Sequence, residues 1–83
     1  MDERTKQIIK EYLLKEFLPG ERPEALTDST PLISGGILDS IATLKLVAFL
    51  EERFEIRLEA HEASVEHMNT LDQIAALVRS KVE

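Results

Sequence analysis

The sequence predicts an all-α protein: a small bundle of three main helices plus one short helix, with a long first loop. Three observations lead there. Apolar residues recur at helical spacing in three separate stretches. Every proline and glycine falls between residues 19 and 36. The one stretch that alternates polar and apolar, 55–60, has no other segment to pair with as a strand.

The first helix covers residues 3–18. Ile8, Ile9, Tyr12, Leu13 and Phe17 form its apolar stripe, widened by Leu14 and Leu18. Pro19-Gly20 ends it. The loop over 19–39 is long for so small a domain, and loops of that kind usually carry function. Leu26, Leu32, Ile33, Ile37 and Leu38 are expected to pin it to the core. Thr30-Pro31 predicts a short helical turn, with Thr30 as N-cap and Pro31 in the first position.

The second helix runs from 40 to 54. Its stripe is Leu44, Val47, Leu50 and Phe54, broadened by Ile41, Leu46 and Phe49. So apolar a helix suits the centre of a bundle. Phe49 lies at the edge of the stripe, near Lys45 and Glu52. A connector follows over 55–60, with Ile56 and Leu58 turned inward. A short third helix is expected over 60–66. Asn69 is expected to cap the last helix, 70–82, with Asp72 completing a capping-box-like arrangement. Leu71, Ile74, Ala75, Leu77, Val78 and Val82 supply that helix's apolar face.

A chain of 83 residues makes one domain, 1–83, with a small core. It has no cysteine, which excludes disulfides, thiolate metal sites and a cysteine nucleophile. The opening Met1-Asp2-Glu3-Arg4-Thr5-Lys6 lacks the order of a secretory leader, and no apolar run reaches membrane-spanning length. The expectation is a soluble, cytoplasmic monomer without membrane insertion. The net charge is −6, and residues 39–66 hold seven of the acids against three bases. Such a surface repels nucleic-acid phosphates and favours basic protein partners. It also serves as a plain solvated face.

The chain is organised around Gly35-Gly36-Ile37-Leu38-Asp39-Ser40, where the loop becomes the second helix. Asp39 and Ser40 are both good N-cap residues. Enzyme readings of this junction fail. Asp39, Ser40 and either His61 or His67 name a catalytic triad, but the base must lie between acid and serine in space, which adjacency does not supply. His61 and His67, six apart, fall on different faces of one helix and make a poor metal site. Gly35-Gly36 lacks the further glycine and Lys-Ser/Thr of a phosphate-binding loop.

Ser40 reads better as a tether. A group joined to a serine needs an exposed hydroxyl and a fixed backbone. A phosphodiester there also gains about 0.3–1 kcal/mol from the positive end of a helix. A loop-to-helix junction meets all three needs. The plain alternative is an N-cap worth about 1 kcal/mol.

Gly36-Ile37-Leu38-Asp39-Ser40-Ile41 resembles the attachment motif of the acyl carrier and peptidyl carrier protein superfamily, in which the serine bears a 4′-phosphopantetheine arm. The resemblance spans nearly the whole chain. It takes in the opening amphipathic helix, the Pro/Gly loop, Glu51-Glu52-Arg53-Phe54 at the close of the second helix, and Met68-Asn69-Thr70-Leu71 before the last. It implies that a phosphopantetheinyl transferase esterifies Ser40 using coenzyme A and Mg²⁺, with Asp39 helping to position metal and transferase. The arm's thiol then carries an acyl or aminoacyl thioester, and the protein itself catalyses nothing.

By the same resemblance, Leu38 and Ile41 flank the arm. Lys45, Ala48, Glu51 and Glu52 share with them the partner surface. If the cargo is a long acyl chain, the space between Leu44, Val47, Ile56, Leu58, Leu71 and Ile74 is its expected shelter; the first reading of each of these six is plain core. The pattern departs from common fatty-acid carriers at four points. Ile41 replaces a usual leucine, and Gly36 stands one residue further from the serine. Lys45 stands where an acid is usual, and Ala48 replaces a bulkier residue. The segment 59–69 is also about two residues longer. The first reading is therefore a stand-alone acyl carrier of a specialised lipid or secondary-metabolite pathway, met by an acyl-loading ligase and downstream acyl-processing enzymes. The alternative is an aminoacyl carrier, D-alanyl for example, loaded by an adenylating ligase. From another class comes an unmodified acidic helical adaptor.

Overall fold

The computed structural model describes residues 2–82. Helix α1 spans Asp2–Phe17, α2 Ser40–Phe54, α3 Val65–Met68 and α4 Leu71–Val82. Two single 3₁₀ turns, Pro23–Ala25 and Ala60–Glu62, sit in the connections, and the described residues contain no strand. The expected all-helical bundle of three main helices and one short one is what forms.

The core draws on all four α-helices. Ile9 and Leu13 come from α1, Leu46 and Leu50 from α2, Met68 from α3, and Leu71, Ile74 and Val78 from α4. The long loop is part of it: Leu26, Leu32 and Leu38 are buried as completely as the helical leucines. The most extensive helix packing is α1 against α4. Lys6 of α1 locks that pair to the loop, with Nζ 3.0 Å from both Asp28 and Asp72. Hydrogen bonds to these two carboxylates raise its pKa.

Helix α2 is turned differently from the expected stripe. It buries Ala42, Thr43, Leu46 and Leu50 and leaves Leu44 66% exposed. An apolar helix offers two candidate stripes, and periodicity does not choose between them. The choice comes from α1. Phe49 stacks on Tyr12 at 3.9 Å between ring centroids, and the Tyr12 hydroxyl donates to the Lys45 carbonyl at 3.2 Å.

Three local expectations are also corrected. No helical turn forms at Thr30-Pro31. Thr30 Oγ1 instead accepts from the Thr27 amide at 2.8 Å, and the turn forms earlier, at Pro23–Ala25. The helix expected over 60–66 splits into the Ala60–Glu62 turn and α3, because Ser64 is extended between them (φ −142°, ψ 170°). His61 and His67 therefore stand on different elements, their rings edge-to-face at 6.4 Å. No cluster of three metal-ligating side chains exists among the described residues.

The cap of α4 is Thr70 rather than Asn69. Thr70 Oγ1 accepts from the Gln73 amide at 3.1 Å, and Gln73 Oε1 accepts from the Asn69 amide at 2.9 Å. The expected capping box does not form: the Gln73 side chain reaches past Thr70 to the Asn69 amide, and Asp72 takes no part. Asp72 is drawn to Lys6.

The 55–60 connector stays irregular, as expected. Leu58 is buried and Ile56 half-buried. Glu55 takes the left-handed conformation that closes α2 (φ 56°).

Candidate functional site

The backbone leading to Ser40 is fixed from several sides. Leu32 N donates to the Asn69 carbonyl at 2.6 Å. Ile33 N and Ser34 N both donate to Asn69 Oδ1 at 2.9 Å. The chain then folds tightly: Gly36 N donates to the Ile33 carbonyl at 3.1 Å and Leu38 N to the Leu32 carbonyl at 2.8 Å. Both glycines are needed here. Gly36 has φ +87°, and a Cβ on Gly35 would strike the Pro31 carbonyl oxygen.

Asp39 ends the loop in an extended conformation, and its Oδ1 accepts from the Ala42 amide at 2.8 Å. Asp39 is thus the N-cap, and Ser40 is the first residue of the helix. The capping is done without the serine. Its side chain is exposed and has no hydrogen-bond partner among the described residues. The amides of Ser40 and Ile41, in the first turn of a 15-residue helix, face the end where anions are favoured.

A groove of about 690 Å³ opens beside Ser40, between α2 and the segment 58–65. Leu44 and Val47 line it from α2, and Leu58, Ala60, Ala63, Ser64 and Val65 from the segment. Asp39 and Glu59 are its charged residues; no Lys, Arg or His lines it. Leu44 and Val65, which line it, are 66% and 45% exposed, and Ile41, next to Ser40 in sequence, is 67% exposed. Neither His61 nor His67 lines the groove, so no histidine base stands at the serine. The arrangement suits a hydroxyl that another enzyme modifies, not one that attacks by itself.

The other candidate residues divide. Ile41, Lys45, Ala48 and Glu52 are exposed on α2, whereas Leu38 is buried under the loop. Glu51 is half-buried, and its carboxylate accepts from the Leu58 amide at 2.8 Å. Ala48, Glu51, Glu52 and Ile56 border a separate depression with Arg57. Of the six residues expected to shelter a cargo, Leu44, Val47 and Leu58 line the groove. Leu71 and Ile74 have no exposure and belong to the core. Sequence reasoning missed Thr43, Ala60, Ala63, Ser64 and Val65 as lining residues. A helix drawn across 60–66 hid the last four. Only the unusual length of 59–69 marked that region.

Comparison with known proteins fits this geometry. Residues 8–78 match a family model described as "Phosphopantetheine attachment site". Two D-alanyl carrier proteins of Lactococcus lactis subsp. cremoris, from strains MG1363 and SK11, are each 40% identical to this chain over 52 residues. The aligned region is 63% of this chain and 66% of each relative, just under two thirds of the relatives' length.

Proposed function

The chain belongs to the phosphopantetheine-attachment family of carrier proteins, and on that premise we propose that Ser40 bears the arm and that its cargo is a small amino acid of the D-alanine class. As a member of that family it is a non-catalytic carrier, modified by a phosphopantetheinyl transferase, and its cofactor is 4′-phosphopantetheine. The finer reading is supported first by the exposed, unpartnered Ser40 hydroxyl at the head of α2.

The residues fit the group. A phosphodiester on Ser40 meets the first-turn amides of α2, while the Ala42 amide is already taken by Asp39. When bound, the arm supplies a thiol that holds cargo as a thioester. The chain's own part is to fix the attachment point and present it. Asn69 and the two glycines hold the loop, Asp39 starts the helix, and Ile41 and Leu44 offer an apolar rim to whichever enzyme approaches.

Three observations favour an amino acid over a long acyl chain. The similar L. lactis proteins are D-alanyl carriers. The groove is also not lined by the core residues Leu71 and Ile74, which are fully buried. Its charged residues, Asp39 and Glu59, are complementary to the ammonium group of an aminoacyl thioester. The apolar lining by Leu44, Val47 and Leu58 is the observation on the side of the acyl reading.

The test has two stages. Incubation with coenzyme A, Mg²⁺ and a transferase of broad specificity should add the mass of one phosphopantetheine, and Ser40→Ala should abolish the gain. An unmodified adaptor predicts no gain with any transferase. The holo-protein is then offered to an adenylating ligase with ATP and D-alanine, and separately to an acyl ligase with a long-chain fatty acid. Loading by the second alone would reverse the cargo assignment.

A further inference from the structure

We propose that Ser64 is the hydrogen-bond anchor by which the groove holds the arm carried on Ser40; this rests on Ser40 being the attachment residue. Ser64 occupies the N-cap position of α3, where a serine hydroxyl ordinarily accepts from an amide of the first turn. Here it makes no such bond. Its backbone carbonyl accepts from the His67 and Met68 amides, so the turn is closed without the side chain. The Ser64 hydroxyl oxygen is buried and has no hydrogen-bond partner among the described residues.

A buried hydroxyl left unpaired is unfavourable, and such a group calls for a missing partner. Ser64 lines the same groove as Ser40, so a group tethered at Ser40 starts in the space that Ser64 borders. The rest of the wall from segment 58–65 is Leu58, Ala60, Ala63 and Val65, which offer no polar side chain, and the carboxylate of Glu59. A pantetheine arm carries two secondary amides. Each must keep its N–H and C=O paired if it leaves water for an apolar groove. A serine hydroxyl both donates and accepts, so it can serve either end of an amide. Arm and hydroxyl each lack what the other supplies. The groove on this account is a resting place for the arm itself, whatever cargo it carries.

The experiment compares apo and holo forms of the full chain by ¹⁵N-resolved NMR and thermal melting, for the wild type, Ser64→Ala and Ser64→Thr. In the wild type, adding the arm should shift amide signals over 59–66 as well as those next to Ser40. Ser64→Ala should lose the shifts over 59–66 and keep those beside Ser40, while Ser64→Thr, which retains the hydroxyl, should preserve both. The apo form of Ser64→Ala should melt no lower than the wild type, because the hydroxyl is unpaired there. Lower melting would show the hydroxyl capping α3 instead. Wild-type shifts confined to residues near Ser40, or shifts over 59–66 that survive Ser64→Ala, would also overturn the anchor. Intact mass separates the two readings. No mass gain from coenzyme A sinks attachment at Ser40, and a gain with an undisturbed 59–66 sinks the anchor alone.

Discussion

Asn69 holds Ser34 from two directions: its Oδ1 accepts from the Ser34 amide at 2.9 Å, and its Nδ2 donates to Ser34 Oγ at 3.2 Å. The junction between α3 and α4 thereby grips the loop six residues ahead of Ser40. The same carboxamide oxygen takes the Ile33 amide. One side chain makes the loop and the last helix a single unit, with Ser40 at its end.

Asn69→Ala removes the acceptor of two loop amides and should cost about 1–3 kcal/mol of stability. Denaturant unfolding measures the loss. Hydrogen exchange should locate it, with Ile33 and Ser34 amides exchanging faster while those in the middle of α1 keep their protection.

Asp39 has two separable duties. Asp39→Ala removes the cap and should cost about 1 kcal/mol, which lowers the melting temperature by about 4–8 °C in a domain of this size. Asp39→Asn keeps a capping oxygen and loses the charge. It should melt near the wild type yet accept phosphopantetheine more slowly, if the carboxylate helps to place the transferase's metal. Equal modification rates would reduce Asp39 to a cap.

Glu55→Gly should stabilise the protein. Glu55 sits at φ 56° just beyond α2, where any residue with a Cβ is strained by about 1–2 kcal/mol. Glycine is the usual solution at that position. A gain of about 1 kcal/mol in unfolding free energy is expected, read by denaturant titration. No gain would mean that the Glu55 side chain compensates for its backbone.

The Ala60–Glu62 turn should loosen in acid. Glu62 accepts from the Glu59 amide and pairs with Lys81 at 2.9 Å, and both hold its pKa below the usual carboxylate range. A group depressed in the folded state stabilises it above the unfolded pKa, about 4.3 for Glu. That contribution is lost as pH falls through the lower folded value. Amides over 59–63 should therefore exchange faster below about pH 4. Glu62→Gln should be looser at neutral pH and show a smaller change across the same window.

Helix existence was legible in the sequence because it rests on local periodicity and caps. The second helix was expected over 40–54, and Ser40–Phe54 forms it. Its rotation was not legible, since the Tyr12–Phe49 stack that sets it joins residues far apart in sequence. The cap of α4 was misplaced by one residue for a related reason. Asn69 and Thr70 are both competent caps, and Asn69 is drawn away by loop amides 35 and 36 positions distant. Ser40 stood out through its flanking residues. The groove beside it depends on how 58–65 folds, and a single extended residue, Ser64, decides that.

The rim of Ile41, Leu44 and Val65 around Ser40 is small. Three such side chains fall well short of the ~1,200–2,000 Å² buried in stable complexes. An encounter through them alone is brief, and its duration is set by how fast the partner leaves. For the carrier proposed above, charged by one enzyme and emptied by another, a short dwell time is an advantage: a rim that gripped harder would stall traffic between the two.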